Sequence, residues 1–191
     1  MTKSCLIVID VQESFRHRPF FSEGHLPAYL AAQNALIAGC VAQGIPVIRV
    51  LHVDGPTVAS NPFAMESGHV APLKGLIDFD ATATFHKSRH SALVGTGLDV
   101  WLTRNGIQRL IISGIRTEQC CETTTRHASD LGWSVDFVLE ATLTFDMVQP
   151  DGHTLAAADI VTRTATVLQG RFATLCSVPQ ALDRTKEGAA A

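Results

Sequence analysis

The 191-residue sequence lacks any apolar stretch approaching the roughly 18 residues of a membrane helix, and its first residues, Met1-Thr2-Lys3-Ser4, have no signal-peptide architecture. A cytoplasmic protein that does not engage a membrane is the expectation. Fifteen Lys and Arg stand against 18 Asp and Glu, with no basic run. The net charge of −3 therefore carries no nucleic-acid footprint and points to a small-molecule partner. The five cysteines (Cys5, Cys40, Cys120, Cys121, Cys176) show no CxxC spacing, which argues against a disulfide framework or a structural zinc site. Gly95-Thr96-Gly97 lacks the third glycine of a dinucleotide loop, the eight histidines form no obvious metal set, and no internal repeat is visible. Neither a cofactor nor a metal is expected.

What the chain does have is 46% hydrophobic residues, enough to build the core of one compact domain over residues 1–182, with 183–191 read as a flexible tail. Short apolar, β-branched runs at 4–9, 46–53, 82–86, 108–112, 133–139 and 172–177 read as strands. Helical patterns lie between them at 26–43, with Leu30, Leu36, Ile37, Cys40 and Val41 on the apolar face, and at 95–105, 117–131 and 151–168. Residues 54–80, punctuated by Gly55-Pro56, Asn61-Pro62 and Pro72, form a long irregular stretch of the kind that makes binding loops. Such alternation predicts an α/β fold: a three-layer α/β/α sandwich around a central, mainly parallel six-stranded sheet.

In such a sheet the carboxyl ends of the strands share one edge, where ligands bind. Asp10, Lys87 and Cys120 each stand at such an end. Asp10 alone would read as a polar cap, and the second Asp of a phosphotransferase pattern is absent, since Gln12 holds its place. Lys87 alone would read as a surface lysine, but a carboxylate base beside a thiol needs a cation to hold it ionised. Gly114 breaks the fourth strand and Thr117 reads as an N-cap, which puts Cys120 at the third helical position, where the macrodipole favours a thiolate. Cys121 points about 100° away on the same helix and cannot share that role. Cys120 and Arg126 have the spacing of a phosphatase phosphate loop, but Glu122-Thr123-Thr124-Thr125 has none of the glycine such a loop uses. Gln12, Phe15, Phe85 and Arg116 are the candidate substrate-binding residues, Arg116 because a guanidinium binds a carboxylate bidentately.

Three segments, Ile9-Asp10-Val11-Gln12-Glu13-Ser14-Phe15, Lys87-Ser88-Arg89-His90-Ser91-Ala92-Leu93 and Ser113-Gly114-Ile115-Arg116-Thr117-Glu118-Gln119-Cys120-Cys121, together resemble the isochorismatase-like cysteine hydrolase superfamily. That superfamily includes nicotinamidases, carbamoylsarcosine amidases and true isochorismatases. The resemblance implies a catalytic triad of Asp10, Lys87 and Cys120, a cis peptide between Ile115 and Arg116, and an oxyanion hole made by the N–H groups of Arg116 and Cys120. It implies cleavage of a C–N bond in an amide or carbamoyl compound through a thioester, and a homo-oligomer, dimer or larger. Nicotinamidases carry an Asp-x-His pattern and a further His that hold a metal; His52-Val53-Asp54-Gly55-Pro56 does not supply it, which argues against nicotinamide. True isochorismatases usually lack the cysteine, so vinyl-ether hydrolysis is the alternative reading, and a non-hydrolytic thiol protein the other.

Overall fold

The structure is a computed structural model that describes residues 3–186. In chain order its elements are β1 (Ser4–Ile9), α1 (Leu26–Ala42), β2 (Val47–His52), β3 (Ala83–Lys87), α2 (Leu98–Arg104), β4 (Arg109–Ile115), α3 (Glu122–Asp130), β5 (Ser134–Leu143), β6 (Met147–Val148), β7 (Thr154–Leu155), α4 (Ala157–Leu168), β8 (Thr174–Cys176) and α5 (Val178–Arg184). Six strands form one parallel sheet in the order β3-β2-β1-β4-β5-β8, with β1 and β4 at its centre.

Every residue of β1 is buried, as a strand covered on both faces must be. Its side chains alternate between two cores: Leu6 and Val8 pack with Leu36 and Ile37 of α1, while Cys5, Ile7 and Ile9 pack with Leu98 and Leu102 of α2. α1 and α5 thus cover one face, and α2, α3 and α4 the other, giving the three layers that the alternation of elements predicts. Among the described residues no helix is long and apolar enough to cross a membrane.

Several boundaries differ from the sequence reading, each for a physical reason. Gly114 does not end β4; the strand runs on through Ile115, and Gly114 marks the point where its register against β5 slips. The helix expected over 151–168 begins only at Ala157, because Asp151-Gly152 turns the chain back and pairs β6 with β7 as an antiparallel hairpin. Val41 on α1 is 53% exposed, whereas Tyr29 and the buried Gln33 occupy the core face. The chain expected to fray from Asp183 instead continues α5, which starts with a capping box in which the Ser177 hydroxyl accepts from the Gln180 N–H. The Thr185 hydroxyl is hydrogen-bonded to Gln43 across to α1. The rest of that proposed tail, 187–191, lies outside the described residues.

Candidate active site

β1 delivers Asp10 to the centre of the sheet's carboxyl edge. There the backbone turns abruptly: Asp10 adopts φ 53°, a left-handed conformation that Asp tolerates better than most residues. Its N–H donates to the Val50 carbonyl at 2.8 Å, and its side chain is completely buried.

Lys87 arrives from β3, two strands away, and is 2% exposed. Its ammonium lies 2.7 Å from Asp10 Oδ2, donates to Cys120 Sγ at 3.2 Å and meets His52 Nδ1 at 2.9 Å. An oxygen, a sulfur and a nitrogen therefore surround one ammonium. Because the ammonium has only protons to offer, His52 Nδ1 is the bare nitrogen and the ring carries its proton on Nε2, which faces the Asp54 carboxylate at 3.7 Å. The sequence alone offers His52 only as part of a segment that does not supply a metal pattern. His52 stands directly opposite Lys87 in the β2–β3 register, so both side chains leave the same face of the sheet.

Gln12, a candidate substrate ligand, has another task. Fully buried, its side-chain amide donates to the His52 carbonyl at 3.0 Å and to Ser14 Oγ at 2.8 Å, and its Oε1 accepts the His52 N–H at 2.7 Å. It clasps the end of β2 and holds His52 beneath the cavity.

After β4 the chain passes a cis peptide between Ile115 and Arg116 and enters a π turn, Thr117–Cys121, closed by the Cys121 N–H on the Arg116 carbonyl at 3.2 Å. Thr117 is not the N-cap: Arg116 holds that position with no side-chain cap, and the Thr117 hydroxyl bonds Thr142 at 2.9 Å. Wide turns of this kind recur at functional sites because the extra residue re-aims a side chain. Cys120 opens on the carboxyl edge at 7% exposure while Cys121 is wholly buried in the core below.

The thiol's electrostatics also differ from expectation. Burial, and then the neighbouring Asp10 carboxylate, push the Cys120 thiol up to about 12, against the opposing pull of Lys87. Loss of water outweighs a helix-end dipole of well under one charge. Burial likewise raises the Asp10 carboxyl above its usual range, with Lys87 holding it down. Burial works against the Lys87 ammonium, yet Asp10 and Cys120 together more than compensate, and Lys87 stays charged. His52 is lowered, first by burial and then by Lys87. The site thus holds one fixed cation beside a carboxyl and a thiol that are coupled through it, so a proton can pass between oxygen and sulfur without leaving the site. Iodoacetamide labelling of Cys120 is accordingly expected to be slow at pH 7 and to keep rising through pH 9, read peptide by peptide in a mass spectrometer. A plateau below pH 7 would show a resting thiolate instead.

A cavity of about 420 Å³ opens over these groups, with Phe15, Phe63, Arg18 and the loop residues Asp54 and Asn61 on its walls. Phe15, as expected, lines it, edge-on to Phe63 at 5.3 Å. Phe85 does not: it packs with the core on the face that includes Ile48 and Val50. Arg116 lines the cavity, but its guanidinium is 3.1 Å from Glu118 and 4.8 Å above the Phe20 ring, so its charge is already met. Arg126 pairs with Glu122 at 2.9 Å and stacks on Phe172, which removes it from any phosphate loop with Cys120. A larger groove of about 870 Å³ between α1, β5 and α4 contains none of the three reactive side chains. Among the described residues no cluster of three or more His, Cys, Asp or Glu is placed to hold a metal ion.

The fold and the sequence have known relatives. The Isochorismatase domain family matches residues 4–171. The isochorismatase family protein YrdC of Bacillus subtilis is 27% identical over 186 residues, 95% of each chain, and Nicotinamidase 3 of Arabidopsis thaliana is 40% identical over 60 residues, 31% of this chain and 30% of its own. Among solved structures, an isochorismatase-family hydrolase from Chromobacterium violaceum superposes with a TM-score of 0.85 at 26% identity, covering 98% of this chain and 95% of that one. A cysteine hydrolase from Pseudomonas syringae pv. phaseolicola shares the fold, with a TM-score of 0.86 at 20% identity over 97% of this chain and 93% of its own. With the family matched over most of its length and the same parallel sheet, the chain belongs to the isochorismatase family and is a hydrolase of that family.

Proposed function

We propose that this protein hydrolyses the C–N bond of a small amide or carbamoyl compound through a thioester on Cys120. The observation that carries the reading is that the Asp10 carboxylate and the Cys120 thiol, both lining one cavity, stand 2.7 and 3.2 Å from the same buried ammonium, Lys87 Nζ. The thiol proton passes to Asp10 as Sγ attacks the carbonyl carbon. The N–H groups of Arg116 and Cys120 meet the developing oxyanion, a contribution of about 100- to 1000-fold per donor in comparable sites. The tetrahedral adduct collapses, Asp10 returns the proton to the departing nitrogen, and ammonia or an amine leaves. Water, deprotonated by Asp10, then attacks the thioester, and acid and thiol are regenerated. Lys87 remains an ammonium throughout and favours the ionised form of Asp10 against the push of burial.

A vinyl-ether substrate has no carbonyl that would call for a sulfur nucleophile, so the thiol favours acyl transfer. The stretch shared with a nicotinamidase, 60 residues long, supports an amide in the same direction. A redox-sensing thiol is disfavoured by the raised, buried Cys120, because sensors need an accessible thiolate.

Ammonia release from a panel of small primary amides and carbamoyl compounds tests the proposal. Wild type is expected to turn over at least one of them, and Cys120→Ala to lose roughly 10,000-fold or more with an unchanged circular dichroism spectrum. Equal rates in the two proteins, or no release by either from any member, would overturn it.

A further inference from the structure

The charges around the cavity are not all met by a close partner of opposite sign. Asp10 is matched by Lys87 at 2.7 Å and Arg116 by Glu118 at 3.1 Å. Asp54, 64% exposed, accepts its neighbour's Gly55 N–H at 2.7 Å and faces His52. One cation on the wall is left over. Arg18 has no acidic partner among the described residues, although the adjacent Arg16 is paired with both Glu13 and Glu23.

Arg18 is also held where a ligand would find it. It closes the 3-10 turn Glu13–His17, its N–H donating to the Phe15 carbonyl at 3.0 Å and its own carbonyl accepting from Phe21 N–H at 3.0 Å. The guanidinium rests 5.9 Å from the centroid of Phe20 and 6.0 Å from that of Phe63. Ring contacts of this kind leave the N–H edge of a guanidinium free to bind a carboxylate bidentately. Phe15 and Phe63, packed edge to face at 5.3 Å, give an apolar wall to the cavity that Cys120 also lines. A ligand seated here meets the buried thiol, phenyl rings and the exposed Arg18 cation on the walls of one cavity. The volume, about 420 Å³, suits a single ring or a short chain.

We infer that Arg18 is an anion-binding residue that selects substrates carrying a carboxylate remote from the scissile amide, joined to it by a flat or apolar body. The inference rests on the amidase reading for its chemistry. The reaction is then half-amide plus water to dicarboxylate plus ammonium: the C–N bond breaks, a C–O bond from water forms, and no oxidant or co-reactant is needed. The role sequence reasoning gave to Arg116 moves to Arg18, because Glu118 already occupies Arg116.

The test uses succinamate and 4-carbamoylbenzoate, each against its uncharged methyl ester, with wild type, Arg18→Lys and Arg18→Gln. Wild type is expected to favour at least one acid over its ester by about 10-fold or more in kcat/KM, mainly through KM, since one bidentate Arg–carboxylate pair is a strong, charge-assisted interaction. Arg18→Gln should bring that ratio to about 1, and Arg18→Lys should restore part of it. A second readout needs no turnover: succinate and terephthalate binding to Cys120→Ala by calorimetry, with and without Arg18→Gln. Amide hydrolysis that ignores the carboxylate, or a preference that survives in Arg18→Gln, overturns the anion site and leaves the amidase standing. Dicarboxylate binding that depends on Arg18 without hydrolysis of any amide keeps the anion site and removes the amidase. Neither binding nor hydrolysis overturns both.

Discussion

Lys87→Met is expected to cost about 3–5 kcal/mol of folding stability and roughly 1000-fold or more in turnover, the first because breaking a buried ion pair leaves an uncompensated charge and the second because the base is lost. Methionine matches the lysine stem in length and shape, so packing changes little; what disappears is the ammonium 2.7 Å from a carboxylate with no exposed surface. Lys87 is the group that holds the Asp10 carboxyl down against the upward push of burial. Without it burial pushes the Asp10 carboxyl further up, so that its charge is held at a cost and the proton of Cys120 loses its acceptor.

The sign of the pH dependence follows. In the variant, folded Asp10 binds a proton that the unfolded chain releases in the ordinary carboxylate range. Stability is therefore greatest at low pH and falls as pH rises through the raised range of the folded state. Urea midpoints should show a smaller deficit against wild type at pH 5 than at pH 8; a deficit that grows toward acid would contradict the assignment. Adding Asp10→Asn to Lys87→Met removes the stranded charge, and asparagine tolerates the φ of 53° at this position. The double variant is expected to recover most of the lost stability and none of the activity, which separates the fold's need for a neutral pair from the chemistry's need for a charged one.

How much of this was legible in the sequence depends on how local each determinant is. The six sheet strands announce themselves as short β-branched runs, and a parallel sheet then places Asp10, Lys87 and the Cys120 segment at one edge, where the structure brings them within 3.2 Å of one ammonium. His52 was not legible as a partner of Lys87, since that contact needs the β2–β3 register, in which the two residues are opposite. The π turn was hidden because Thr117 has every local property of an N-cap, yet its hydroxyl bonds Thr142 on β5 instead. The raised thiol was hidden because desolvation is set by the whole fold, while the helix-end dipole can be read from a few residues. The β6–β7 hairpin, by contrast, has its signal in Asp151-Gly152 between the short pairs Met147-Val148 and Thr154-Leu155, which the longer helical reading absorbed.

Gly114 shows a residue whose role the sequence reading misjudged, and Gly114→Ala carries the other large expected effect. At φ 132° the position is already unfavourable for any L side chain, but conformation is the smaller part. A Cβ there would overlap the Ile9 carbonyl oxygen and lie 2.8 Å from Ile9 N and C. All three are backbone atoms of the neighbouring central strand, paired with Gly114 in the β1–β4 register, and a backbone cannot step aside as a flexible side chain can. β1 and β4 would have to separate at the middle of the sheet. The expected cost is about 4 kcal/mol or more, the range reserved for overpacked cores, read as a collapse of the urea midpoint or loss of soluble protein. Gly132→Ala is the matched control: its φ of 94° is also positive, but nothing lies within 4 Å of the added Cβ, so only about 1 kcal/mol of conformational penalty is expected. Equal losses in the two variants would mean that φ alone matters and that the strand contact does not. Any Gly114→Ala protein that still folds should lose turnover as well, because Ile9 is bonded directly to Asp10 and Gly114 leads through Ile115 into the turn of Cys120. The spacing of β1 and β4 at this one glycine sets the distance across which base and nucleophile exchange a proton.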